Sequence, residues 1–276
     1  MMSPAPDSTR LTYIYDGTFH GLMTIAHDSA RRGIIPHDIT ASDPERPLLF
    51  HDYIRVATDV HKAEAVIRAI KTRLPSLAYR RVLFCFLSEA ATAPKCIIDY
   101  LSLGWRYGAM LDHHVTHEAV RPLHFLAEKV ERERRRMLGL VRFRLAPGGI
   151  YYAPIEPDNN ILPLLSPHFA ERMATESWII HDIGRKIASR CSEGEWDIVN
   201  FKLTASIEYG EEELAYQKLW NGYFTSIAIG DRKNVKLQKQ FLPRRYWKHL
   251  VEDIPGQADT HPQGKPCRNI PTSPST

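Results

Sequence analysis

Residues 140–155 read LVRFRLAPGGIYYAPI, and this stretch decides the fold class. From Leu140 to Leu145 apolar and polar side chains alternate, the period of an extended chain with one buried face. Pro147-Gly148-Gly149 interrupts the run and Ile150 to Ile155 resumes it, so two strands are expected to meet through a tight turn. Downstream, Pro163–Met173 carries a short helical pattern. Trp178–Cys191 and Trp196–Leu203 then read as another pair of strands, joined through Ser192–Glu195. Strands that follow one another through tight turns pair antiparallel. Tyr216, Leu219, Trp220, Tyr223, Phe224 and Ile227 recur at i, i+3, i+4, i+7 spacing, a strong amphipathic-helix signal.

Upstream of the opening stretch the pattern is helical. Val120, Leu123, Ala127, Val130 and Met137 form the apolar stripe of a helix over about 116–138. Val60, Ala63, Ile67, Ile70 and Leu74 make another, closed by Pro75. Lys95–Gly104 is expected as a short helix, and Val82–Leu87 is apolar on every side, a buried helix or strand. Thr12–Tyr15 is a short β-rich run ending at Asp16-Gly17, followed by a helix that Gly33 should stop. Residues 34–47 read as a loop and Leu48–Val56 as a strand. No alternating β-α-β series is evident, so the expected class is α+β: a mostly helical N-terminal half packed with an antiparallel sheet and helices in the C-terminal half. The expected organisation is a polar leader (1–10), one α+β domain (11–253; helical to about 138, sheet-containing from about 139) and a proline-rich disordered tail (254–276).

Composition sets limits on function. The chain of 276 residues is 43% hydrophobic and 25% charged, ordinary globular values, with a formal net charge of +4. Its four cysteines (Cys85, Cys96, Cys191, Cys267) show no C-x-x-C spacing, and no H-E-x-x-H is present, so neither a metal nor another cofactor is expected. G-x-S-x-G, the P-loop and G-x-G-x-x-G are also absent, which disfavours nucleophilic hydrolases, NTPases and dinucleotide enzymes. The N-terminal residues lack an apolar signal core and no run reaches the roughly 20 apolar residues of a membrane span, so a reduced, cytoplasmic location without membrane contact is expected.

Three constellations carry possible chemistry. Arg132, Arg135 and Arg136 end the long helix, with Arg142 and Arg144 on the strand after it, and such a row can neutralise successive phosphates. The same cations also complement a helix dipole, and Glu131 and Glu133 dilute them. Lys233, Lys236, Lys239, Arg244, Arg245 and Lys248 form a second basic stretch, interleaved with Phe241, Tyr246 and Trp247. There the aromatic rings either stack bases or insert into a core while the charges stay wet. The third constellation is polar: Glu156 and Asp158 just past a strand, with His181 and Asp182 on another. Half-buried imidazole beside carboxylates suits acid–base or metal chemistry, and equally suits an Asx/Pro turn with a hydrogen-bonded core histidine. His113, His114 and His117 lack carboxylate support and read as incidental.

Four motifs add a resemblance: Tyr13–Phe19 (YIYDGTF), Leu101–Gly108 (LSLGWRYG), Phe143–Phe169 (FRLAPGGIYYAPIEPDNNILPLLSPHF) with Trp178–Asp182, and Gln238–Lys248 (QKQFLPRRYWK). Over about residues 11–253 the chain resembles the bacterial family labelled "probable DNA metabolism protein". Its members are typically encoded beside a radical SAM protein, and some are fused to a uracil-DNA glycosylase domain. No fused domain is expected here, and the sequence does not contain the Cys-x-x-x-Cys-x-x-Cys of a radical SAM cluster. The resemblance implies a role in DNA repair or modification. Three functions follow: a DNA-binding accessory to a radical SAM partner, an enzyme acting on DNA or nucleotides through Glu156, Asp158, His181 and Asp182, or a structural partner that docks through the 216–227 helix.

Overall fold

The computed structural model describes residues 11–43, 51–203, 206–227 and 242–252. Among these, seven α-helices and two sheets give a mixed α+β protein. Two compact units divide the chain: residues 1–138 with 157–165, and residues 139–156 with 166–276.

In the first unit, β1 (Leu11–Ile14) is the middle strand of a three-stranded sheet, flanked by β2 (Asp38–Thr40) and β3 (Asp52–Arg55). Both pairings are parallel. One β-α-β unit is therefore present, α1 (Phe19–Arg32) crossing from β1 to β2, within a protein whose class is α+β as expected. β1 and β3 overlap stretches expected as strands, whereas β2, three residues long, sits inside the segment expected to be a loop, so the crossover from β1 to β2 gave no signal. Asp16 organises the strand-to-helix turn: its carboxylate accepts from the Thr18 N–H at 2.9 Å, the Thr18 hydroxyl at 2.7 Å and the Thr58 hydroxyl at 2.7 Å. Thr18 in turn caps α1 through the Gly21 N–H. The helix stops at Gly33, as expected; its φ of 65° is a left-handed conformation in which a side chain would be strained.

Around that sheet pack α2 (Val60–Arg73), α3 (Ala78–Leu87), α4 (Ala93–Tyr107) and α5 (Arg121–Leu140), the last of which runs past the division between units. The apolar run 82–87 is therefore helix. The strand expected from Leu140 begins only at Arg144, because the α5 pattern continues to Leu140. Leu22, Met23, Ile25, Ile70, Ile97, Ile98 and Leu101 are essentially fully buried, and Leu11 and Tyr13 bring the central strand into the same core. Cys85 is buried here too, and desolvation pushes its thiol well above the ordinary range, which makes it a packing residue rather than a nucleophile.

The second unit is built on a five-stranded sheet in the order β4 (Arg144–Ala146), β5 (Ile150–Ile155), β6 (Trp178–Asp182), β7 (Ile187–Ser192), β8 (Glu195–Asn200). The 178–191 stretch is two strands, not one, divided at Ile183–Lys186. Positive φ at both Glu193 and Gly194 gives the β7–β8 link the backbone that a two-residue hairpin demands. The sheet is mostly antiparallel, but β5 and β6 run parallel, linked by α6 (Leu162–Arg172). A helix α7 (Glu211–Ser226) and a 3₁₀ turn (Arg244–His249) follow.

Candidate functional site

In α/β arrangements ligands gather beyond the carboxyl ends of parallel strands. In the second unit that rule singles out the ends of β5 and β6, where Ile155 stands opposite Asp182. The next residue after β5 is Glu156, half-buried, and two side chains of the 3₁₀ turn meet it. Lys248 Nζ lies 2.7 Å from Glu156 Oε2, and His249 Nε2 lies 3.4 Å from Glu156 Oε1. Arg144 on β4 holds this turn in place by donating from Nη2 to the carbonyls of His249 (3.2 Å) and Leu250 (3.4 Å). Burial pushes the His249 imidazole down to about 4, Glu156 opposes that, and Lys248 and Arg144 reinforce it. The ring is consequently neutral at pH 7, beside a carboxylate already paired with an ammonium. Such a trio can accept or relay a proton.

His181 is placed differently. It is 4% exposed, its Nδ1 lies 2.7 Å from the Tyr152 hydroxyl, and Phe201 packs edge-on against it. Burial lowers its pKa, with Asp182 working the other way, and burial also pushes the Tyr152 phenol up to about 12. This is a neutral, sequestered pair. Asp182 is fully buried and accepts from the Arg185 backbone N–H (3.1 Å) and guanidinium (2.9 Å), which shapes the β6–β7 turn. Asp158 belongs to the first unit, with an exposed side chain, and its backbone N–H donates to Glu133 Oε1 at 2.8 Å. Of the four acid–base candidates, Glu156 is thus the half-buried carboxylate with a lysine and a histidine at hand.

The Pro157–Asn160 segment is held by a residue that the sequence presented only as a dilution of basic charge. Glu133 is 4% exposed and also accepts from the Asn159 N–H (2.9 Å) and the Asn159 side-chain amide (2.5 Å). A buried carboxylate persists only when hydrogen-bonded, and this loop supplies the donors. Its signal in the sequence was an acid on the apolar stripe of α5, three residues after Val130 and four before Met137.

A family model described as a domain of unknown function, DUF4130, matches residues 91–252. The chain belongs to that family. No curated protein matches it. The DUF4130 region contains α4, α5, the five-stranded sheet and the Glu156–Lys248–His249 trio, and leaves out the three-stranded parallel sheet. Among the described residues, no group of three or more His, Cys, Asp or Glu is placed to hold a metal, and no helix is long and apolar enough to cross a membrane.

The basic candidates within the DUF4130 region divide into two groups. Arg142 pairs with Glu252 at 2.7 Å, Arg144 grips backbone carbonyls, and Lys248 is on Glu156. Arg245 lies over the Tyr246 ring, 4.8 Å from its centroid. Tyr246 and Trp247 are 2% and 3% exposed, and Trp247 Nε1 donates to the Leu242 carbonyl at 2.9 Å. These rings insert into a core, so of the two readings of this stretch it is the base-stacking one that the structure corrects for Tyr246 and Trp247. Lys233, Lys236, Lys239 and the side chain of Arg244 lie outside the described residues. On α5, Arg135 shares Glu131 with Arg80 and Arg134, at 3.4, 2.8 and 3.1 Å respectively. Arg132 and Arg136 make no ion pair with any described residue.

Proposed function

We propose that this protein is a DNA-binding accessory and that the outer face of α5 is its phosphate-contacting surface. The observation that carries this reading is a stripe of cations, Arg121, Lys129 and Arg132 exposed and Arg136 half-buried, around an exposed aromatic ring. At 100° per residue, Arg121, Phe125, Lys129, Arg132 and Arg136 fall within an ~80° arc over about four turns of helix. Phe125 is 58% exposed, with Lys129 Nζ 5.8 Å from its ring centroid. Glu128 and Glu131 flank the stripe, and Glu131 is occupied by three guanidiniums. Cations without carboxylate partners are the ones able to release counterions from a polyanion.

The test is the salt dependence of affinity for single- and double-stranded DNA. Each neutralised phosphate contributes about −0.9 to the slope of log K against log salt on duplex, so four cations give a slope no steeper than about −3.6. Replacing Arg132 and Arg136 by Gln should make the slope shallower by about 2. Affinity that is undetectable, or indifferent to salt and to these two substitutions, rules the surface out. The radical SAM partner implied by the resemblance is tested separately, by co-purification from cells.

A second reading has its own support in the Glu156–Lys248–His249 trio, where a neutral imidazole faces a lysine-paired carboxylate. On this reading the protein processes damaged or modified DNA. Glu156→Gln should then abolish processing while DNA affinity is retained, and unchanged turnover excludes Glu156 from the chemistry.

A further inference from the structure

The LSLGWRYG stretch lies on α4, and its residues divide between two surfaces. Leu101 is buried in the core, and Gly104 packs so closely that an added Cβ would sit 3.1 Å from both Leu111 and Leu74. One position on from each, Ser102 and Trp105 line a groove instead, at the i, i+3 spacing that puts them on one side of the helix. The groove has a volume of about 510 Å³, is mostly apolar and opens among α1, α2 and α4 within the first unit. That size falls within the ~300–1,000 Å³ of small-molecule clefts. It exists because the residues that floor it, including Ala65 and Ala69 on α2, are too short to fill it.

Three features indicate an occupant. Trp105 is among the lining residues and brings a large, half-buried aromatic ring to the groove, a group that suits a planar ligand ring. Ser29 is 3% exposed and lines the groove, and its hydroxyl is buried with no hydrogen-bond partner among the described residues. A small shift of its neighbours would bring that hydroxyl to a ligand heteroatom, which would supply the missing partner. Arg31 and Arg73 line the groove and make no ion pair with any described residue, and among the described residues no carboxylate lines it. The nearby Asp28 is engaged by Lys62 at 3.0 Å and His27 at 3.0 Å. Each arginine ends a helix and complements its dipole, but two guanidiniums lining one apolar groove also make a fork for an oxyanion.

We propose that this groove binds a mononucleotide, its heteroaromatic ring against Trp105 and its phosphate between Arg31 and Arg73. The site is independent of the DNA-contacting face proposed for α5. Either can fail without the other.

The probe is AMP, added to the full chain while tryptophan fluorescence is followed, with adenosine and ribose 5-phosphate as half-ligands. The chain has five tryptophans, so Trp105→Phe assigns the signal. The expected result is saturable quenching by AMP at least ~10-fold tighter than by either half-ligand, because ring and phosphate contributions combine. Replacing Arg31 and Arg73 by Gln should weaken AMP ~10-fold or more and leave adenosine unchanged. Ala69→Leu, which fills the slot with a good helix former, should abolish binding while circular dichroism and melting temperature stay at wild-type values. Calorimetric titration of the Trp105→Phe variant covers the case in which quenching arises elsewhere. No saturable AMP binding at ~5 mM, equal affinity for AMP and adenosine, or binding indifferent to both the arginine and Ala69→Leu changes would each overturn the proposal.

Discussion

Arg132 and Arg136 on α5, and Arg142 and Arg144 just beyond it, form one cationic row in the sequence and two different things in the structure. The first pair lies on the outer face of α5, Arg132 exposed and Arg136 half-buried, and makes no ion pair with any described residue, while Glu131 on the same helix is shared by three other guanidiniums. The second pair is spent internally: Arg142 on the buried carboxylate Glu252, Arg144 on the backbone of the 3₁₀ turn. A charge count cannot separate the two groups. What separates them is whether a carboxylate or carbonyl from a distant part of the chain arrives to consume the cation, because a guanidinium removed from water needs such a partner.

That contrast can be broken or sharpened by substitution, beginning with the largest effect. Trp247→Ala removes the buried ring that anchors the 3₁₀ turn and should cost about 4 kcal/mol by urea unfolding, with DNA affinity falling only as far as the folded fraction falls. A selective loss of DNA affinity in a fully folded variant would restore this ring as a base-stacking platform. Glu133→Ala strips the acceptor from two backbone N–H groups and one amide and should cost about 3 kcal/mol. Glu133→Gln, which keeps one carbonyl oxygen, should cost roughly half as much. Neither should alter the salt slope.

Arg142→Gln should come next, at about 2 kcal/mol, since it leaves Glu252 buried and without its cation. The Arg142–Glu252 pair also predicts a pH dependence. Burial disfavours the Glu252 carboxylate, but the Arg142 hydrogen bonds outweigh that and hold its pKa below the ordinary 4.5. The folded state therefore binds this proton less readily than the unfolded chain, so the pair's contribution is present above about 4.5 and is lost as pH falls through the lower folded value. Glu252→Gln should reduce the acid sensitivity of unfolding in that window. His249 acts in the same direction at higher pH. Its folded value of about 4, against 6.5 when exposed, means that stability is complete above 6.5 and declines toward 4, and His249→Gln should flatten that decline. The smallest stability effect belongs to the α5 stripe: replacing Arg132 and Arg136 by Gln should change unfolding by no more than ~0.5 kcal/mol while altering DNA binding. A large destabilisation there would show that these arginines, like Arg142, are structural.

Much of the architecture could be read from local pattern. The Gly148-Gly149 turn, the Ser192–Glu195 hairpin, the Gly33 helix stop and the apolar stripes of α2 and α5 each rest on steps of a few residues along the chain, and each is present, except that Val60 at the head of the α2 stripe is exposed. Two strands of the three-stranded parallel sheet were legible, but β2 lay in a segment read as a loop and the pairing of β1 with β3 spans distant parts of the chain, while the parallel β5–β6 pair is separated by α6. The helix α7 illustrates a different limit. Its periodicity was plain, yet Leu219, Tyr216 and Tyr223 are 70%, 62% and 56% exposed. Periodicity reports that a helix has an apolar side and not what covers it. At the candidate site Glu156 was legible as a carboxylate beyond a strand, whereas His249 gave no signal of its own, 93 residues away.

From its sequence alone this protein is determined to be α+β, without recognisable nucleotide or metal motifs, with turns and helix ends set where glycine, proline and capping side chains demand them. Tertiary structure decided which charges remain available. Lys248 reaches Glu156 across 92 residues and Arg142 reaches Glu252 across 110. Backbone preferences act over a few neighbouring residues and so are written locally, while the neutralisation of a charge depends on which group folding brings within about 3 Å of it, and no local pattern encodes that distance.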